Sequence, residues 1–250
     1  MEDLPRQFTI RESSHRIHNP LTPAKLAALG AALRLPPGTR VLDLACGSGE
    51  LLCTWARDHG FTGTGIDISP VFIGAARERA RELGVEAAVG FVHGDASGYV
   101  AREPAAVAAC VGATWIGGGV AGTVELLRRS LAPGAIMLIG EPYWRKQPPD
   151  QETAEACGGI GRAGWATGLP ALLGSFGELG LDVVEMVLAG DDDWDRYAAA
   201  QWLNIRRWLD GHQGDELYDE MRAELTAAPV RHARYRREYL GWGVFALMDR

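Results

Sequence analysis

The stretch Arg40-Val41-Leu42-Asp43-Leu44-Ala45-Cys46-Gly47-Ser48-Gly49-Glu50 decides the fold. A short apolar run ends abruptly in a turn with two glycines, and a helical pattern then continues through His59. A strand that passes through a glycine turn into a helix opens a parallel sheet covered by helices. Upstream, a helix is expected from Leu21 to Leu33, stopped by Pro36-Pro37-Gly38.

Downstream the same alternation repeats. Strands are expected at Gly63 to Asp67, Ala87 to His93, Ala105 to Val111, Ala135 to Gly140, Leu181 to Leu188 and Gly243 to Met248. Ser69 is the expected N-cap of the second covering helix, with Pro70 at its first position. The expected architecture is an α/β fold: a doubly wound, seven-stranded, mostly parallel sheet with helical cap insertions. The whole chain, 1–250, reads as one domain. Residues 1–38 form an N-terminal cap segment and 39–144 the ligand-binding core. A loop insert at 145–168 and a helical insert at 191–240 complete it. Trp194, Ala198, Ile205, Trp208 and Leu209 fall near helical spacing in that last insert. Such a stripe packs against the sheet edge or forms a lid over the acceptor.

Composition narrows the function. The formal charge is −7, with 25 basic and 32 acidic residues. Binding by counterion release needs a broad basic surface, so neither nucleic acid nor a membrane is an expected partner. The local run Arg231 to Arg237 reads as a helix face that balances Asp191-Asp192-Asp193. Only Lys25 and Lys146 are lysines, and no phosphate-binding GxxxxGK[ST] loop occurs. Cys46, Cys53, Cys110 and Cys157 have no CxxC spacing, which points to reduced thiols in a cytoplasmic protein without a metal site. The uncharged run from Pro104 to Val124 contains Gly117-Gly118-Gly119 and fits a buried strand, a loop and a helix start better than a membrane span.

In an open parallel sheet the ligand lies beyond the carboxyl ends of the strands. Gly47 and Gly49 follow the first strand, where missing side chains let a ligand reach the backbone. Asp67 ends the second strand, placed to accept both hydroxyls of a ribose. Gly94-Asp95-Ala96 follows the third and offers a carboxylate and a small edge to a purine. A nicotinamide fold wants GxGxxG, but this turn continues Glu50-Leu51-Leu52. Asp43, close to the turn, suits an ammonium and disfavours a diphosphate. The expected ligand is a nucleoside with a cationic amino-acid tail.

Val41 to Glu50 resembles the first motif of class I S-adenosylmethionine-dependent methyltransferases. Gly65-Ile66-Asp67-Ile68-Ser69 and Gly94-Asp95-Ala96 resemble the second and third, and Leu131-Ala132-Pro133-Gly134-Ala135 is similar to that family's LKPGG turn. The resemblance implies a Rossmann-like methyltransferase fold and S-adenosylmethionine as cofactor. It implies that Asp43, Ala45, Cys46, Gly47 and Gly49 hold the methionine part and that Asp67 binds the ribose. Ile68 would lie against the adenine, Asp95 and Ala96 at its edge, and Val111, within Cys110 to Ala113, behind the methionine chain. The segments SSHRIHNP, ATWIGGG and GEPYWR further resemble a group of stand-alone bacterial methyltransferases known mainly by sequence.

The [DN]PP[FY] signature of nucleic-acid amino-methylation is replaced by Gly112-Ala113-Thr114-Trp115, which favours a small-molecule acceptor methylated on O, N or S. Three segments are expected to converge on the acceptor. His18, Glu141 and Tyr143 are the catalytic candidates, with histidine as a base near neutral pH. His15, Trp115 and Trp144 are the candidates for acceptor binding, and Trp115, Tyr143 and Trp144 are expected to form an aromatic wall. Arg145 is expected at the solvated surface. The glycines from Gly158 to Gly168 suggest a mobile cover. The competing readings are a nicotinamide-dependent oxidoreductase and a non-catalytic protein that binds the cofactor.

Overall fold

The computed structural model describes residues 4–158 and 167–250. The expected cover from Gly158 to Gly168 therefore falls largely outside the described residues. In chain order the elements are α1 (Arg6–Glu12), α2 (Pro23–Ala32), β1 (Arg40–Leu44), α3 (Glu50–His59), β2 (Thr62–Asp67), α4 (Pro70–Leu83), β3 (Val89–His93) and β4 (Ala105–Val111). A 3-10 turn, Thr114–Gly117, leads to α5 (Val120–Arg128), β5 (Leu131–Trp144), α6 (Gln151–Ala156), α7 (Leu169–Glu178), β6 (Leu181–Leu188), α8 (Asp191–Gly211) and α9 (Tyr218–Arg231). A π-helical segment, His232–Arg236, and one further turn precede β7 (Leu240–Asp249).

The strands form one seven-stranded sheet in the order β3-β2-β1-β4-β5-β7-β6, with β1 to β5 parallel and β7 antiparallel to both its neighbours. The mostly parallel α/β architecture is the one the sequence announces. Both faces are covered, which is why the inner strands read as continuous apolar runs. Val41, Val107, Leu138 and Val244 pack with α2, α3 and α4 on one face. Leu42, Leu44, Met137, Ile139 and Phe245 pack with α5 and α7 on the other. Trp55 is fully enclosed in the first layer, and its indole N–H is satisfied by donating to the carbonyl of Leu26 at 3.1 Å.

Several local expectations need correction. β5 begins four residues earlier than Ala135, where Leu131 pairs with Ala105 of β4, and ends four residues later than Gly140, because β7 pairs with it from Met137 through Trp144. Ser69 holds the N-cap position of α4, but its hydroxyl is buried without a partner; its backbone N–H instead donates to Asp67 Oδ1 at 2.9 Å. The stripe on α8 divides: Trp194 joins the main core, while Ile205 and Leu209 meet Ile10 of α1 and Met221 of α9 in a separate cluster. The 191–240 insert and the N-terminal segment thus form one cap. Among the described residues no helix is long and apolar enough to cross a membrane.

Candidate active site

The turn after β1 uses three left-handed residues in five positions: Ala45 (φ 60°), Gly47 (φ 53°) and Gly49 (φ 69°). Glycine tolerates this backbone; alanine pays for it sterically. Asp67 staples the turn to the end of β2, since its Oδ2 accepts from the Gly47 N–H at 2.8 Å while its Oδ1 accepts from Ser69. Asp43 lies behind, fully buried, and burial together with the nearby Asp67 pushes its carboxyl up to about 8. It is therefore mostly protonated at neutral pH, and an adjacent cation would draw it back to the ionised form.

Above these strand ends is a cavity of about 790 Å³. Of the sequence candidates, His18, Ala45, Gly47, Asp67, Ile68, Asp95, Ala96, Val111 and Trp115 line it. Asp95 is oriented by a bond from the Ser97 N–H at 2.8 Å, which also holds its carboxyl below the usual range. Trp115, on the 3-10 turn, is 55% exposed at the rim. Asp43, Cys46 and Gly49 stand outside the lining. Gly49 is a packing glycine: a Cβ there would lie 2.6 Å from Phe91 Cε1 and 2.8 Å from Ala76 Cβ.

The N-terminal segment forms the opposite wall. His18 Nε2 is 2.9 Å from Ser48 Oγ, and its ring stands edge-on to Phe72 at 4.1 Å. Burial, with a smaller contribution from His15, lowers its pKa to about 4, so the imidazole is neutral at physiological pH and a weaker base than the sequence suggests. Asn19 Nδ2 donates to the Val111 carbonyl at 3.1 Å, so one dipeptide touches the loops after both β1 and β4.

The other candidates lie elsewhere. Glu141 accepts from Thr114 Oγ1 at 2.7 Å, and burial raises its carboxyl to about 7 although that bond opposes the shift. It lines a different cavity of about 350 Å³, with Gly118, Gly119, Leu172 and Ser175. The expected aromatic wall does not form. Because β5 continues to Trp144, successive side chains alternate: Tyr143 joins the core layer of Phe245, and Trp144 the opposite layer of Leu138. Burial raises the Tyr143 phenol. His15 packs on Tyr197 at 4.8 Å with its Nε2 3.2 Å from the Tyr197 carbonyl, inside the cap. Arg145 is paired with Asp191.

Sequence reasoning missed Phe8, Arg11, Asn19, Phe72 and Glu220, all of which line the cavity. Asn19 and Phe72 carry a signal, next to His18 and in the helix turn after Asp67. Phe8, Arg11 and Glu220 reach the cavity only through the cap and have no local signature.

The methyltransferase domain family model matches residues 41–134. YjhP of Escherichia coli (strain K12) is 61% identical over 248 residues, 99% of this chain and 100% of that protein. The crystal structure of a SAM-dependent methyltransferase from Geobacter sulfurreducens in complex with S-adenosyl-L-homocysteine is 66% identical, covers 100% of both chains and superposes with a TM-score of 0.97. One from Thiobacillus denitrificans, also in complex with S-adenosyl-L-homocysteine, is 61% identical with the same coverage and TM-score. With identity of this order along its entire length and TM-scores of 0.97, the chain belongs to the family of S-adenosylmethionine-dependent methyltransferases.

Proposed function

We propose that the cavity at the strand ends takes S-adenosylmethionine together with a small-molecule acceptor, and that the methyl group passes to an O, N or S atom of that acceptor. The observation that carries the reading is the cavity of about 790 Å³, in which Asp67, Ile68, Asp95 and Ala96 face a wall built by the N-terminal segment. Its volume is in the range of small-molecule sites, and closure from the N-terminal side suits a small acceptor. The two neighbours solved with S-adenosyl-L-homocysteine support the cofactor.

The donor set fits that cofactor. Asp67 has its carboxylate fixed by two backbone amides, ready to accept ribose hydroxyls with little further ordering. Ile68 supplies an apolar surface, and Asp95 a hydrogen-bond acceptor. Asp43, held near neutrality, becomes a counter-charge for an ammonium. When bound, the cofactor supplies an electrophilic methyl on a sulfonium. The chain aligns the acceptor for in-line attack and excludes water. His18, neutral on the N-terminal wall, orients the nucleophile by a hydrogen bond. Glu141 acts at one remove, holding Thr114 and so the turn that carries Trp115.

Calorimetry tests this. S-adenosylmethionine and S-adenosylhomocysteine are both expected to bind, and Asp67→Ala to weaken binding roughly 100-fold, since it removes a charged acceptor and frees two loop amides. No binding to the parent protein, or equal binding to the variant, would overturn the reading. Saturable fluorescence changes with NAD(P)H would favour an oxidoreductase instead.

A further inference from the structure

The cavity continues into a second one of about 360 Å³ between α1 and α9, and the two share Gln7, Arg11 and Glu220 as walls. Arg11 stands where they meet, in the last turn of α1, with its side chain 33% exposed. Its guanidinium makes no hydrogen bond among the described residues, and its Nε is buried without a partner. Among the described residues the nearest carboxylate, Glu224, lies 3.9 Å away and is already engaged by Arg231 at 2.5 Å. Arg236 is a third guanidinium of this group, its Nε also buried and unpaired. Arg11 and Arg231 thus both approach one glutamate, with Arg236 within electrostatic reach of it, and a guanidinium without a hydrogen bond on a cavity wall is a group arranged to meet an anion. Across the opening, Glu220 accepts from Gln7 Nε2 at 3.3 Å, the one hydrogen bond of its carboxylate among the described residues.

Resting on the methyltransferase reading above, we propose that the acceptor carries an acidic group, a carboxylate or phosphate, which Arg11 binds at the junction of the two cavities. The apolar body of the acceptor then lies along Phe8, Phe72 and Trp115 toward the cofactor loops. Phe8 and Phe72 meet edge to face at 6.1 Å, giving this passage an aromatic side. Glu220 limits the anion's affinity by like-charge repulsion and sets the orientation of the entering molecule.

The test uses 4-phenylbutyrate, 3-phenylpropyl phosphate and the neutral 4-phenylbutanamide as probes, by ligand-observed NMR on the full chain. Titrations are run with and without saturating S-adenosylhomocysteine, whose own binding is measured first. Failure of that binding sinks the cofactor reading, while the probe preference judges Arg11 in either case. One or both anionic probes are expected to bind about tenfold or more tightly than the amide, the discrimination a charge-assisted hydrogen bond provides. Which anion binds better tells carboxylate from phosphate. Arg11→Gln is expected to abolish the preference, Arg11→Lys to retain part of it, and Glu220→Gln to enlarge it. Equal binding of anions and amide, no binding of any probe, or a preference that survives in Arg11→Gln overturns the proposal. Should Arg11→Gln fail to fold, the parent's preference together with Arg11→Lys and Glu220→Gln decides.

Discussion

The floor of the cavity and its cap are built by different means. In the floor, Asp67 reaches amides 2 and 20 residues away, and the loops follow directly from strands whose pairing places them side by side. In the cap, Glu12 accepts from Tyr197 and Gln201, and Asn204 donates to the Arg11 carbonyl, across separations of 185, 189 and 193 residues. Floor geometry is backbone geometry fixed by the sheet. Cap geometry is a set of side-chain bonds between segments far apart in the chain. From that difference the floor is expected to open only with the cooperative core, and the cap to behave as a separable layer.

The largest effect that sharpens this contrast is expected for Gly49→Ala. The residue has a φ of 69°, and its new methyl would sit 2.6 Å from the buried Phe91 ring. Backbone strain and overpacking together cost about 3 kcal/mol or more, measured as a fall in denaturant stability with weaker binding of S-adenosylhomocysteine. A loss under about 1 kcal/mol would mean that the turn is free to move and that the floor is no more rigid than the cap.

Tyr197→Phe tests the other side. The hydroxyl lies 2.9 Å from Glu12 Oε1 and 3.1 Å from the His18 carbonyl, on a half-buried side chain between α8 and the N-terminal segment. Its removal is expected to cost about 1 to 2 kcal/mol. Amide exchange should accelerate across residues 6–19 while β1, β2 and β3 keep their protection. Equal acceleration in those strands would join cap and floor into one cooperative unit and break the comparison.

The same division explains how much was legible in the sequence. The mostly parallel seven-stranded sheet, the strand-end loops and the positions of Asp67, Asp95 and Val111 follow from short motifs, because a strand, a turn and a helix start are coded within about a dozen residues, whereas the order of the strands is given by their pairing. His15 and His18 illustrate the limit. They are three residues apart and alike in sequence, yet His18 faces the cavity and His15 faces Tyr197, a choice made by α8, 182 residues away. Glu141, Tyr143 and Trp144 were misplaced for a related reason. Pairing with β7, which follows about a hundred residues later, extends β5 and sends adjacent side chains to opposite faces. Arg11 and Glu220 approach each other only through the packing of α1 on the insert, and no spacing within either segment signals that.

The smallest effect is the most diagnostic of what the floor is for. Ala45 holds a φ of 60° on the cavity wall, in the same turn as Gly47 and Gly49, where glycine would be free of strain. Left-handed alanine costs about 1 to 2 kcal/mol, and replacement by glycine returns about 0.4 to 1 kcal/mol of that to the unfolded chain as entropy. Ala45→Gly is therefore expected to stabilise the fold by about 0.5 kcal/mol, read from denaturant midpoints. If the methyl is kept for its contact with the ligand, the same variant binds S-adenosylhomocysteine about threefold more weakly, close to the value of one buried carbon. Stability and affinity then move in opposite directions, the signature of strain retained for a binding surface. A variant that gains stability with no loss of affinity would make the strained alanine incidental, and the floor would owe its shape to Asp67 and the glycines alone.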